Sequence, residues 1–388
     1  MNFATIQLDD DTASVLADVR RFLDENLTEA VIDEEWRTGA GHHWGFHRAL
    51  GAKGWIEPTL PPDEGGAGLT PWQAMLLERE LQARHAPLIT LATTRLVLST
   101  VRSWADESVR AELVPRVLRG ETCFCLGYTE PDAGSDLAAV RTRAVRDGEE
   151  WVIDGQKMFT TGAQNCSHAF LVTRSNPDAP KHKGITTFLC PLDGVEVQAV
   201  HTLGGERTNM VFFDQHRVPD RFRLGPVDQG WTVLSGPLAA EHGMTDRSMV
   251  PTESRGGMYG AALAVAYDAA VAWASEPGPD GSRPLDDPVV RRRLARVALD
   301  VEVATATPGA MGRIASSELF IRDAEELEDL VGPRALLARG EPDAVAGGWI
   351  EYAHRFAQGT AIYGGTTDIH RNLVAEKVLG LPRSTPRG

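Results

Sequence analysis

Apolar residues recur every three to four positions through the first third of the chain. Over Ser14 to Asn26, and over Trp72 to Arg84 with Ala74, Leu77 and Leu81 on one side, that spacing predicts helices with one buried face. Pro61-Pro62 and the run Gly65-Gly66-Ala67-Gly68 cannot continue a helix and predict a loop between two of them. From Glu121 the pattern changes to short β-rich runs bounded by Gly, Pro, Asn and Asp: His168 to Thr173, Ile185 to Cys190, Val195 to Val200 and Met210 to Phe213. Trp151-Val152-Ile153, then Asp154-Gly155, then Lys157 to Thr161 reads as a hairpin closed by a tight turn. After Gly230 helical spacing returns. One helix should open at Asp287-Pro288, a capping residue followed by proline in the first turn, and a last one should run from about Thr367 to Leu379, stopped by Gly380 and Pro382. The fold class is therefore α+β, with a helical domain over 1–120, a β domain over 121–225 and a helical domain over 226–388.

Composition narrows this picture without redrawing it. A chain of 388 residues has room for two or three packed domains. Its net charge of -15 repels polyanions, which argues against a nucleic-acid surface. The one dense basic run, Arg291 to Arg293 with Arg296, lies among helically spaced apolar residues and reads as a solvated helix face. Ala261 to Ala274 is apolar but too short for a bilayer span and is broken by Asp268, so a buried helix is expected and no membrane partner. Cys123, Cys125, Cys166 and Cys190 form no CxxC pair and read as reduced thiols. The first residues, with Asp9, Asp10 and Asp11, lack the features of an export signal, and the expected compartment is the cytoplasm.

Several common chemistries are missing from the sequence. No phosphate-binding Walker loop, no GxGxxG between a strand and a helix and no GxSxG elbow occurs. His42, His43 and His47 have no carboxylate cluster beside them and read as packing or surface histidines, not metal ligands. Two segments remain. Gly127 to Asp136 leaves a β-run into a loop of small and hydroxylated residues, whose backbone could approach a phosphate or a flavin edge; an ordinary polar turn has the same composition. Gly365-Thr366-Thr367-Asp368 places hydroxyls at a helix start, where an anion or simple capping are both served.

Those two segments, together with Asp154 to Thr161, Arg207 to Asp214, Val218-Pro219 and Tyr363-Gly364-Gly365-Thr366-Thr367-Asp368-Ile369-His370-Arg371, resemble the acyl-CoA dehydrogenase family in order and spacing over nearly the whole chain. The resemblance implies an N-terminal helical domain, a β-barrel-like middle domain and a C-terminal four-helix bundle. It implies FAD as cofactor and dehydrogenation of an acyl thioester, carried by CoA or an acyl carrier protein, to the trans-2-enoyl product. Leu126, Tyr128, Thr129, Gly134 and Ser135 then line the flavin and the thioester end of the substrate. Phe159 and Thr161 match positions that touch the isoalloxazine, with Phe where many relatives have Trp, and Thr366 and Asp368 match C-terminal contacts to FAD.

In many relatives the base that removes the α proton directly follows the Tyr of the C-terminal loop; here that position is Gly364, left as a substrate contact. A second branch carries its Glu eleven residues past a Gly at the start of the C-terminal domain. Gly230-Trp231 fits that start, which makes Glu241 the implied base. Two departures stand out: His242 follows where Arg is usual, and the Arg-x-x-Phe-Gly segment that reaches a neighbouring subunit's FAD is replaced by the turn-rich Glu276 to Pro284, in which Arg283 could substitute. The segment from that loop to Arg291 resembles actinobacterial members, some acting on steroid or polyketide thioesters and some built from two different subunits. The resemblance leaves a homodimer or homotetramer, or a hetero-oligomer, as the expected assembly, and electron-transfer flavoprotein or oxygen as the acceptor. A flavin-dependent oxidase or monooxygenase, and a partner subunit that only completes another chain's site, are the competing readings.

Overall fold

The computed structural model describes residues 7–241 and 258–382; the side chains of 239–241 and 258 lie outside that description. The chain divides into two compact units. The first holds most of residues 1–237 and the second most of the remainder, with residues 201–206 belonging to the second.

Among the described residues of the first unit six helices precede the sheet: α1 (Asp10–Asn26), α2 (Glu29–Thr38), α3 (Trp44–Ala52), α4 (Pro71–Ala83), α5 (Ile89–Trp104) and α6 (Glu107–Leu118). Local chemistry sets their ends. Asp9 accepts from the Thr12 amide to start α1, Thr70 and Gln73 form a reciprocal cap with Pro71 in the first turn of α4, and Gly39 closes α2 in the left-handed region. The anticipated loop lies between α3 and α4, around a short 3-10 turn at Pro62–Glu64.

Eight strands follow among the described residues: β1 (Phe124–Gly127), β2 (Arg143–Asp147), β3 (Glu150–Lys157), β4 (His168–Arg174), β5 (Ile185–Pro191), β6 (Glu196–His201), β7 (Arg207–Pro219) and β8 (Arg223–Leu224). They form one mixed sheet in the order β6-β7-β3-β2-β4-β5-β8, with β1 pairing parallel to β4. Helix α5 is bound to this sheet by side chains. The Phe124 amide donates to Thr94 Oγ1 at 2.9 Å, and Thr93 Oγ1 donates to the Phe124 carbonyl at 2.9 Å, so the buried backbone of β1 is satisfied where no strand could reach it.

The hairpin expectation is corrected here. Asp154-Gly155 is no turn, because β3 runs straight through it; the turn that joins β2 to β3 is at Gly148. Asp154-Gly155 instead marks a bulge, where the β3–β7 register shifts between Ile153 and Gly155. Gly155 has φ 143°, and a methyl there would lie 2.8 Å from Thr142 Cα, so only glycine fits. The Asp154 carboxylate takes the Gln215 amide and side chain, at 2.9 and 2.7 Å, and holds the bulge from the other side.

The helices that follow are α7 (Gly230–Glu241), α8 (Met258–Ser275), α9 (Pro288–Ala306), α10 (Gly309–Val331), α11 (Trp349–Thr360) and α12 (Thr367–Leu373), the last continuing into a π turn over Val374–Val378. Within the second unit α8 to α11 pack around one apolar core that includes Leu263, Ala270, Leu294, Val297, Phe320, Leu327, Ile350 and Ala357. The start of α9 is as expected, with Asp287 accepting from the Val289 amide at 2.7 Å ahead of Pro288. The basic run on α9 is more than a solvated face. Arg293 pairs with Glu326 (2.6 Å) and Asp329 (2.7 Å) of α10, and Arg296 reaches Asp323 at 3.4 Å, so the run bridges two helices. No helix among the described residues is long and apolar enough to cross a membrane.

Candidate active site

The first unit brings together the two segments carrying most of the expected cofactor positions. Strand β1 ends at Gly127, where a Cβ would meet Leu171 Cδ1 at 2.9 Å, and the chain then enters the 128–136 loop. Leu126 and Thr129 are half-buried, Tyr128 is buried, and Gly134 and Ser135 are exposed. Glu130 and Ala133 exchange both backbone hydrogen bonds, at 2.9 and 3.1 Å, which closes Glu130-Pro131-Asp132-Ala133 as a turn. From the other side, the Met158 amide at the end of β3 donates to the Thr129 carbonyl at 2.8 Å.

Immediately beyond lies Phe159, at φ 57° and half exposed, in a backbone region that a side chain of its size rarely adopts. Hydrogen bonds hold it there. The Thr160 amide donates to the Asn209 carbonyl at 3.0 Å, Asn209 Nδ2 donates back to the Thr160 carbonyl at 2.9 Å, and Thr161 Oγ1 donates to Thr208 Oγ1 at 3.0 Å. Thr160 Oγ1 and Gln164 Nε2 are buried with no protein hydrogen-bond partner among the described residues. An aromatic side chain turned outward, bordered by hydroxyls and by buried polar atoms with unused capacity, fits a planar ring system with a polar rim.

Two residues to which the sequence reading gave no role stand behind these segments. Lys157 is fully buried and donates to Glu130 Oε1 at 2.8 Å and to the Tyr128 carbonyl at 3.1 Å. Glu130 also accepts from the amides of Arg141 (2.6 Å) and Thr142 (2.9 Å). Burial pushes the Lys157 ammonium down to about 8 against the pull of Glu130. Burial opposes charge on Glu130 as well, but Lys157 and the hydrogen bonds from 141–142 hold its carboxyl below the usual range. The one available signal was a lysine opening the second run of the expected hairpin.

Of the three histidines read as packing or surface residues, two pack and one is half-exposed. His43 caps α3, its Nδ1 accepting from the Phe46 amide at 3.1 Å, while His42 and His47 are buried with ring centroids 5.0 Å apart. Burial holds His42 down to about 3 and His47 to about 4. No group of three or more metal-ligating side chains occurs among the described residues. All four cysteines are free and buried.

The second unit contains Gly364, Thr366 and Asp368. Thr366 caps α12, its hydroxyl accepting from the Ile369 amide at 3.2 Å, and Asp368 is exposed, 3.3 Å from Arg371. Gly364 and Gly365 have φ 67° and 82°, which suits glycine. The loop is held through its carbonyls. Buried Arg313 donates to the Tyr363 carbonyl and to Ser317 Oγ and lies over the Tyr259 ring at 4.7 Å, and buried His370 donates from Nε2 to the Gly364 carbonyl at 3.2 Å. Neither Arg313 nor His370 was singled out from sequence. Arg283 pairs with Asp286 at 2.8 Å within its own loop. Glu241 ends α7, its side chain lying outside the described residues together with all of His242.

Comparisons with known proteins agree with this architecture along the chain. Family models match residues 9–121 (acyl-CoA dehydrogenase, N-terminal domain), 125–216 (middle domain) and 304–379 (C-terminal domain). Among curated proteins, the acyl-CoA dehydrogenase IpdE1 of Mycobacterium tuberculosis is 30% identical, over 96% of this chain and 98% of that protein. Among solved structures, the Tcur3481-Tcur3483 steroid ACAD matches with a TM-score of 0.84 at 28% identity, covering 98% of this chain and 100% of that one. The ChsE4-ChsE5 complex from Mycobacterium tuberculosis matches with a TM-score of 0.83 at 25% identity, covering 98% and 100%. The helical first and last parts with a central sheet are those of this fold, and the chain belongs to the acyl-CoA dehydrogenase family, as an FAD-dependent enzyme.

Proposed function

We propose that this enzyme converts an acyl-CoA to the trans-2-enoyl-CoA with Glu241 as the base. Bound FAD supplies the hydride acceptor for the β hydrogen. The chain's own part is to hold the thioester, remove the α proton and exclude water. The observation that carries the assignment is the glycine at 364: the turn after Tyr363 has left-handed backbone and no carboxylate, so the proton acceptor must come from elsewhere. Glu241, at the last position of α7 and eleven residues past Gly230, is the candidate whose place in the chain fits. Its carboxylate takes the α proton as the C–H electron pair moves toward the thioester, and N–H donors at the thioester oxygen offset the charge that develops. Gly364 and Ser135 are proposed to contact that end of the substrate. Leu126, Tyr128, Thr129, Gly134, Phe159, Thr161, Thr366 and Asp368 are proposed to hold FAD.

A steroid-derived acyl group is the proposed substrate class, supported by the likeness to a structure named a steroid ACAD. Electron-transfer flavoprotein is the proposed acceptor. Assembly with a second, different chain is proposed on two grounds. A similar structure is a two-protein complex, and Arg283, which could replace the missing Arg-x-x-Phe-Gly contact, pairs with Asp286 of its own segment. The test is anaerobic addition of a panel of acyl-CoAs to the wild type and to Glu241→Gln, followed by flavin absorbance. Bleaching in the wild type alone supports both base and substrate class; equal bleaching in the two removes Glu241 from the mechanism. A singly expressed chain that cannot be loaded with FAD favours the partner-subunit reading.

A further inference from the structure

A lysine whose ammonium is fully sequestered needs a reason. Exchanging a buried ion pair for apolar residues of similar volume is often neutral for stability, so the pair of Lys157 with Glu130 is poor evidence of a stabilising role. Its geometry suggests a different one. Lys157 Nζ takes the Tyr128 carbonyl at 3.1 Å, and the very next residue takes the Thr129 carbonyl through its amide at 2.8 Å. Two consecutive carbonyls of the 128–136 loop are therefore fixed by Lys157, the last residue of β3, and Met158, the residue after it, directly ahead of Phe159. Glu130, the third residue in that stretch, is fastened to the opposite side by the amides of Arg141 and Thr142 and to Lys157 at 2.8 Å. Both carboxylate oxygens and two of the three ammonium protons are used, so the loop has little freedom to slide along the strand.

We propose that Lys157 is a positioning residue for FAD, setting through Glu130 and the Tyr128 carbonyl the separation between the 128–136 loop and the Phe159–Thr161 turn. This rests on the reading that those two segments line the flavin. An apolar residue at 157 could fill the same space, but it would remove the ammonium's bonds to the Tyr128 carbonyl and to Glu130, and of these ties between the loop and the strand only that of the Met158 amide would remain. The distance between the two walls of the site would then vary, and a rigid ring system would lose affinity.

The test compares Lys157→Met, the double variant Lys157→Met with Glu130→Gln, and Phe159→Ala in the full chain, expressed with its partner if FAD loading requires one. Unfolding temperature without cofactor, FAD affinity by flavin fluorescence, and the fine structure of the bound-flavin absorbance are measured for each. The single Lys157 variant leaves a buried carboxylate without its cation and should lose both stability and FAD affinity. The double variant should recover its unfolding temperature to within a few degrees, yet bind FAD at least tenfold more weakly with a broadened flavin band. Parent-like affinity and spectrum in the double variant would overturn the inference and leave the pair purely structural. Should the double variant not fold, Lys157→Met alone is assayed well below its own unfolding temperature, with the same tenfold loss expected and parent-like affinity again overturning the idea. Phe159→Ala separates the two layers: unchanged FAD affinity there defeats the reading of the site, whereas a loss there with none in the double variant defeats only the role of Lys157.

Discussion

Two buried imidazoles should make this protein acid-sensitive in a way that can be assigned to them. His42 and His47 sit with their rings 5.0 Å apart, held down to about 3 and about 4 from the ordinary 6.5, with burial as the largest cause in both. The folded state therefore refuses protons that the unfolded chain accepts, and stability falls as the pH drops from 6.5 toward 4. At about 1.36 kcal/mol per pH unit, lowering the pH from 7 to 5 costs about 2 kcal/mol for each histidine, or about 4 kcal/mol for the pair. The perturbation is the double substitution His42→Gln with His47→Gln. It lowers stability at pH 7, because Thr90 loses its ring partner and the packing is disturbed, but it removes the two groups that take up protons on unfolding. Urea unfolding of variant and parent at half-unit steps from pH 7 to 5 should show the stability gap between them closing by about 4 kcal/mol. His85 and His168, also held down to about 4, contribute equally to both proteins and drop out of the difference. Parallel curves, with the gap constant to within about 1 kcal/mol, would refute the claim that these imidazoles are neutral in the fold.

Three further outcomes follow from the same structure. Gly155→Ala places a methyl 2.8 Å from Thr142 Cα at φ 143°, and should cost about 2–4 kcal/mol and weaken FAD binding, read by thermal unfolding and flavin fluorescence. Leu327→Ala opens a cavity in the core of the second unit and should cost about 2–5 kcal/mol in denaturant titrations, with FAD affinity unchanged. Asp287→Ala removes the side chain that caps α9 and should cost about 1 kcal/mol by thermal unfolding.

Helices were legible where apolar spacing and end chemistry agreed, as at Asp287-Pro288, whose cap is where the sequence put it. Strands were legible where both faces are buried, as in β4 and β5, but β2 was missed because its solvent-facing Arg143, Arg146 and Asp147 dilute the apolar signal. Asp154-Gly155 misled because Asp-Gly serves a bulge as well as a turn; what decides between them is the approach of Thr142, a contact set by a neighbouring strand. The α9 arginines misled for the same kind of reason, since their acidic partners lie about thirty residues away on α10. At the site, the residues expected to face the cofactor came from motif resemblance, whereas the groups that hold them, Lys157, Glu130, Asn209, Arg313 and His370, gain meaning only from three-dimensional neighbours. Lys157 in particular breaks the rule that core positions are apolar, and such breaks mark strained or functional ground.

The four buried thiols have a consequence for a protein that handles reduced flavin. Any electrons that leak from such a flavin to oxygen generate peroxide at the protein itself. Peroxide attacks the thiolate, and burial pushes the Cys166 and Cys190 thiols up, so both stay protonated as well as inaccessible. The chain thus keeps its most easily oxidised side chains away from any peroxide formed at a bound flavin, and prolonged aerobic turnover should leave its cysteines unmodified.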